Sequence, residues 1–355
     1  MTKRNNSVEF FRFLFCCAIC LHHFRDYGDG SVFRSGYLGV DVFFVLSGFF
    51  LMNHFVTRET GEMVSPERSA LRYLRDRLIR LGPHHVFSWI IMAFIVVFVL
   101  KTRSASDVLL YGCWEFLLLK ATALGNNITV NGVVWYLSAL VICSYIIYWF
   151  LCWERKRGNG EGEPYTHVIA PVLFFVVMGW LWSQRDDLNY WIQSAPVFTG
   201  GFLRGISEMG LGCTAYAVVR AIRSHYTPGR GANILATVFE VLGWAFVFYH
   251  MYKQRDPRDF IVPALSAALV VSTFAFRSYL TRLLDNSFSA FLGKMSYPMY
   301  LNQFMFIRPI LKLMPGLPFW PVASCMMAAL FVFSLFSNWL VQKATRWVQA
   351  KAAKI

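Results

Sequence analysis

The sequence predicts an all-α integral membrane protein of about ten transmembrane helices, with the N- and C-termini cytoplasmic. Three observations predict it. Of 355 residues, 56% are hydrophobic and 17% aromatic against 15% charged, which is too apolar for a soluble domain of this length. Stretches able to cross a hydrocarbon core of roughly 30 Å, about 20 residues each, recur along the whole chain, so residues 1–355 read as a single transmembrane domain. The Lys and Arg residues behind the formal charge of +14 stand in short runs between these stretches. They are densest on the side that holds both ends, Lys3 and Arg4 included, and the positive-inside rule makes that side cytoplasmic. Membrane lipid is therefore the solvent, and nucleic acid is excluded as a partner because it needs a contiguous basic patch.

The first span, 8–24, is interrupted by Arg12 and ends in His22 and His23 rather than at a small-residue cleavage site, so it reads as a retained helix. The second, 36–56, carries Asp41 near its start. The third, 84–100, follows the basic stretch RYLRDRLIRLGP, placed in a cytoplasmic connection. Residues 107–124 are apolar yet hold Glu115 and Lys120, the pattern of an interfacial or half-inserted helix. The fourth span, 133–153, leads into a polar, glycine-rich loop at 158–163. Spans follow at 166–182, 199–219, 233–251, 260–276, 288–307 and 320–341. The two halves show no visible repeat, which weighs against a carrier built on one. Most of the eight cysteines fall inside spans. Cys17 and Cys20 form a CxxC without partners of matching spacing, so they read as small hydrophobes and no metal is expected.

Ionisable groups inside spans mark a site, because each costs about 2.5 to 3.5 kcal/mol or more near the bilayer centre and so faces a polar cavity. Arg12 and His23 share a face of one helix about 16 Å apart along its axis, Arg12 towards the cytoplasm and His23 towards the outer leaflet. A neutral imidazole can accept a proton from an attacking hydroxyl, although an interfacial histidine with a satisfied hydrogen bond has the same signature. Asp41 lies at the depth of His23 and could orient its ring or simply cap a helix start. Arg72, Arg75, Arg77 and Arg80 offer guanidinium forks suited to phosphate, or to anionic lipid. Arg204 and Glu208 are one helical turn apart and pair either for chemistry or for structure.

These residues resemble the acyltransferase 3 family of membrane-bound O-acyltransferases. Arg12 and His23, ten residues between them, are similar to that family's first-helix pair, and GYLGVDVFFVLSGFFL at 36–51 resembles its second-helix motif. RLIRLGP at 77–83 is similar to its paired-arginine element, VWYLSAL at 134–140 to its tryptophan motif and FLGKMSYPMYLNQF at 291–304 to its late helix. The resemblance implies acyl-CoA as donor, bound through Arg12, Arg77 and Arg80, a catalytic role for His23 and a supporting one for Asp41. It also implies a glycan or lipid-linked saccharide as acceptor and the bacterial cytoplasmic membrane as location. Two positions depart from the pattern. Gln303 stands where the late-helix motif often has histidine, and the segment after Trp135 lacks the acid of many relatives, which suggests the branch of short sugar O-acetylases. The resemblance to that branch implies a protein without an appended esterase-like domain, and the sequons at Asn5 and Asn127 read as chance matches in a bacterial chain. The expected activity is transfer of an acyl group, acetyl foremost, from cytoplasmic acyl-CoA to a sugar hydroxyl. Direct attack and transient acylation of His23 both fit. The alternative is a transporter of a lipid-linked sugar or small organic anion, its path lined by the same charges.

Overall fold

The computed structural model describes residues 5–28, 30–58, 65–122, 129–158, 160–189, 199–253 and 255–352; Lys3, Arg4 and Asn127 lie outside them. Among the described residues the chain is helical and contains no strand. Eight of its helices are long and apolar enough to cross a membrane. The surface agrees with that solvent: Leu109, Phe175 and Leu235 are 72%, 70% and 71% exposed, an apolar exterior that suits lipid contact.

Helix α1 (Asn6–Phe24) starts at Asn5, whose side chain accepts from the Ser7 amide at 3.0 Å, one of the donors a helix start leaves unpaired. Helix α2 is Gly39–Arg58. Helix α3 (Pro66–Phe94) differs from the reading above: the basic stretch lies inside it and forms its first half. Pro66 at its first position needs no hydrogen-bonding N–H, and the Ser65 hydroxyl accepts from the Arg68 amide, so the helix nucleates well before the apolar run. The stretch expected to be half-inserted forms two short helices, α4 (Ala105–Tyr111) and α5 (Cys113–Phe116). Then come α6 (Val134–Lys156), α7 (Ala170–Gln184), α8 (Gly200–His225), α9 (Arg230–Lys253), α10 (Ile261–Ala275), α11 (Tyr279–Leu284), α12 (Ser287–Leu313) and α13 (Phe319–Ala352). The remaining two expected spans correspond to α8 and α12, of 26 and 27 residues, long enough to cross but too polar to join the eight.

Helices α2 and α8 pack backbone to backbone. A Cβ on Gly48 would overlap the Met209 carbonyl, and one on Gly212 the Val45 carbonyl. In lipid, where apolar burial gains little, such contact is what drives helix association. Helices α1, α3 and α12 run parallel. Cys16 Sγ meets the Ser296 carbonyl at 3.1 Å and His23 meets Gln303 at 2.8 Å, while the Tyr297 hydroxyl donates to Leu81 O at 2.9 Å and Ser88 Oγ to Leu301 O at 2.8 Å. Helix α13 runs antiparallel to α1, with Phe331 against Phe13 and Phe319 against Phe24 at ring separations of 6.1 and 5.6 Å. The start of α1 and the end of α13 therefore share one face of the bundle.

Candidate functional site

Three polar layers follow one another along α1. The first lies near its start. Arg12 bonds Glu9 at 3.1 Å and remains about a third exposed. Arg77 on α3 is buried, donates to the Tyr73 hydroxyl at 2.6 Å and keeps a buried Nε without a hydrogen-bond partner among the described residues. Arg80, one turn further, lies within electrostatic reach of both Arg77 and Arg12, and Tyr136 on α6 within reach of Arg12 and Arg77. Three guanidiniums within electrostatic reach of one another, one with an orphaned donor, suit an anionic ligand. Arg72 and Arg75 do not join them. The 3.6-residue period puts them on a different side of α3 from Tyr73, Arg77 and Arg80, and Arg75 turns to its neighbour Asp76 at 3.0 Å.

The second layer is a fully buried ion cluster between α2 and α8. Arg204 meets Asp41 through Nη2 at 2.6 Å to each carboxylate oxygen and through Nε at 3.0 Å. Glu208 stands 3.8 Å from the same guanidinium, and the Trp135 ring lies 5.6 Å from it. The expected Arg204–Glu208 contact exists, but the principal partner of Arg204 is Asp41. This corrects the expectation that Asp41 orients the catalytic imidazole. The start of α2 lies deeper along α1 than His23, with Gly39 against Ile19 and the Phe15 carbonyl, and the close α2–α8 packing turns Asp41 towards the cation on α8.

The third layer contains His23, which is half-buried. Its Nδ1 lies 2.8 Å from Gln303 Oε1, and Gln303 Nε2 donates to the Tyr300 carbonyl at 2.8 Å. That second bond fixes the amide's orientation, so Oε1 faces the ring, Nδ1 carries a proton and donates it, and in the neutral ring Nε2 keeps its lone pair. The Phe304 ring packs on the imidazole at 4.9 Å. Gln303, noted above only as a departure from a motif, is thus the residue that sets the tautomer. Its signal was its place in the late-helix motif; its reach to His23 depends on the parallel pairing of α1 and α12.

Two further clusters were not legible in the sequence. Beside His23, the His22 ring packs on Tyr37 at 5.3 Å, and the Tyr37 hydroxyl donates to the buried Asp259. Asp259 also accepts from His250 Nε2 at 2.7 Å and from the Leu188 amide at 3.2 Å. This network ties the α9–α10 connection to the turn before α2. The second is Glu115 on α5, fully buried, whose carboxylate accepts from the Val130 and Asn131 amides at 3.0 and 2.6 Å. It holds the turn that precedes α6. Arg308 donates to Val130 O at 2.9 Å and lies over the Phe304 ring at 5.1 Å, so this turn braces the same phenylalanine that covers His23. Burial pushes the Glu115 carboxyl up to about 7, against the Asn131 amide, Lys120, the Val130 amide and Arg308, which pull it down.

The family model described as an acyltransferase domain, acyltransferase 3, matches residues 5–340. No curated protein and no solved structure matches the chain.

Proposed function

The chain belongs to the acyltransferase 3 family and is an acyltransferase, and we propose that it moves an acyl group, acetyl foremost, from cytoplasmic acyl-CoA to a hydroxyl of an extracytoplasmic or lipid-linked glycan in the bacterial cytoplasmic membrane. The observation that carries this reading is the state of His23. With Nδ1–H committed to Gln303, Nε2 is the free base of a neutral imidazole, suited to take a proton from a sugar hydroxyl. The basic layer supports the donor end. Arg12 lies on the same helix about 16 Å below His23, with Arg77 and Arg80 beside it, a separation that a long flexible thioester arm would span with its phosphates on the guanidiniums.

In this reaction the acceptor oxygen attacks the thioester carbonyl while His23 Nε2 takes its proton. The tetrahedral intermediate then collapses, the C–S bond breaks, and the imidazolium returns the proton to the departing thiolate. Products are the glycan ester and free CoA, and His23 ends as it began. Replacing His23 with Ala removes the base, and general base catalysis contributes about 10²- to 10⁴-fold. Labelled acyl transfer from acetyl-CoA should therefore fall to background while the protein still inserts. Wild-type transfer by the His23→Ala protein would refute the assignment, and a wild type that moves substrate without making a covalent product would be a transporter.

A further inference from the structure

Among the described residues two arginines are buried, Arg77 and Arg204, and they are held in opposite ways. Arg204 faces carboxylates, which cancel its charge where it stands. Arg77 forms no ion pair among the described residues, and its neighbour Asp76 is taken by Arg75 at 3.0 Å. Its hydrogen-bond partner is a neutral group, the Tyr73 hydroxyl, at 2.6 Å. Tyr73 stands one turn earlier on α3, so the two side chains share a face. The phenol is itself fixed from two other helices. Its ring stacks on Tyr148 of α6 at 4.2 Å with the planes 4° apart, and the His54 ring of α2 packs on it at 5.1 Å. The Tyr148 hydroxyl and His54 Nδ1 lie 3.3 Å apart, and both tyrosines are buried. Helices α2, α3 and α6 therefore set the place of one oxygen atom, and that oxygen sets the Nη1 end of the Arg77 guanidinium. Nε of the same group is buried without a hydrogen-bond partner among the described residues. A carboxylate in place of the phenol would restrain the arginine and neutralise it; a hydroxyl accepts one N–H and leaves the positive charge intact.

We propose that Tyr73 is a positioning residue, a neutral tether that holds the Arg77 guanidinium ready for an anionic ligand without cancelling its charge. The proposal rests on the acyl-CoA reading for the identity of that ligand. A long side chain left free would lose rotamer entropy when the ligand arrives, and the tether removes that cost before binding. Tyr73 acts through Arg77 and belongs to the arginine layer, whereas the proton is moved at His23, so the tether bears on donor affinity and not on turnover.

The test uses the full-length protein in lipid nanodiscs, as wild type, Tyr73→Phe, Arg77→Ala and the double variant. Tyr73→Phe keeps the ring and its stack on Tyr148 and loses only the oxygen, and thermal unfolding verifies that each variant is folded. Acetyl-CoA affinity should fall about fivefold in Tyr73→Phe with kcat unchanged. The same substitution should have no further effect once residue 77 is alanine, because a tether without its arginine holds nothing. A second readout needs no donor: phenylglyoxal, which reacts with guanidiniums, should modify Arg77 faster in Tyr73→Phe than in wild type, with Arg204 unchanged, as read by peptide mass spectrometry. An equal loss of affinity in the wild-type and Arg77→Ala backgrounds overturns the proposal, since Tyr73 would then act without Arg77. So does a lowered thermal midpoint with donor affinity and Arg77 labelling both unchanged, the mark of packing alone. A wild type that does not bind acetyl-CoA, with Arg77 labelled faster in Tyr73→Phe, refutes the acyl-CoA reading and leaves the tether standing; unchanged labelling in such a protein refutes both.

Discussion

An imidazole serves as a base only when one nitrogen keeps its lone pair and faces the substrate, and at His23 that condition depends on one amide. Gln303 accepts from Nδ1 and is itself anchored on the Tyr300 carbonyl, so a side chain without an acceptor at 303 frees the ring to rotate and to change tautomer. Gln303→Leu should lower kcat about 10²-fold while leaving KM for acetyl-CoA unchanged, because the arginines proposed to hold the donor are untouched. Gln303→His retains a ring nitrogen able to accept from Nδ1 and should keep most of the activity. A rise in KM with unchanged kcat would make Gln303 a donor-site residue instead. The candidate base was legible because histidine at the end of an apolar run is conspicuous. Its orienting partner was harder to see, because glutamine carries no charge and lies 280 residues away along the chain. Asp41 looked the better candidate for the opposite reason: a carboxylate in an apolar run draws notice, while its tie to Arg204 becomes visible only once α2 and α8 are packed.

At the scale of elements, the Asp41–Arg204 pair joins two helices whose backbones already touch at Gly48 and Gly212. Removing the cation leaves buried acids uncompensated, which costs about 3 to 5 kcal/mol, whereas replacing a whole buried ion cluster with apolar residues is often neutral or stabilising. Because Arg204 faces both Asp41 and Glu208, Arg204→Leu should lower the thermal midpoint in detergent sharply, and Arg204→Leu with Asp41→Leu and Glu208→Leu should recover most of the loss. If the triple variant is folded, stable and active, the cluster is structural; if folded, stable and inactive, it takes part in the chemistry. The α5 turn offers a pH test of a second junction. Burial raises the Glu115 carboxyl to about 7, above an ordinary value of 4.5, so between these values the folded state binds more protons than the unfolded one. Its contribution to stability is then greatest below about pH 4.5 and declines as pH rises to about 7. The thermal midpoint of the wild type should show this decline between pH 5 and about pH 7.5, and Glu115→Gln, which mimics the protonated acid, should flatten it. A slope unchanged by Glu115→Gln would assign it to other groups. The sequence marked the 107–124 stretch as neither span nor loop because of Glu115 and Lys120. Its division into α4 and α5, and the target of its carboxylate, depend on tertiary contacts with 130–131 that no local pattern encodes.

For the whole molecule, the order of the three layers matters more than any one of them. Arg12, Arg77 and Arg80 lie towards the face where α1 starts and α13 ends, and His23 lies towards the opposite one. A cytoplasmic thioester and an outward acceptor can meet at His23 only if that first face is cytoplasmic. The ring pairs between α1 and α13 place both described ends on it, and the density of Lys and Arg on that side argues for the same orientation. A fluorescent protein fused after Ile355 should therefore fluoresce and an alkaline phosphatase fused there should be inactive. Phosphatase inserted at Asp186, in the connection after α7, should be active. These fusions also test the chemistry. An active phosphatase at the C-terminus would put the arginine layer outside the cell, beyond reach of cytoplasmic acyl-CoA. His23 would then face the wrong compartment for the proposed acceptor, and a residual acetyl transfer in such a protein would need a different donor.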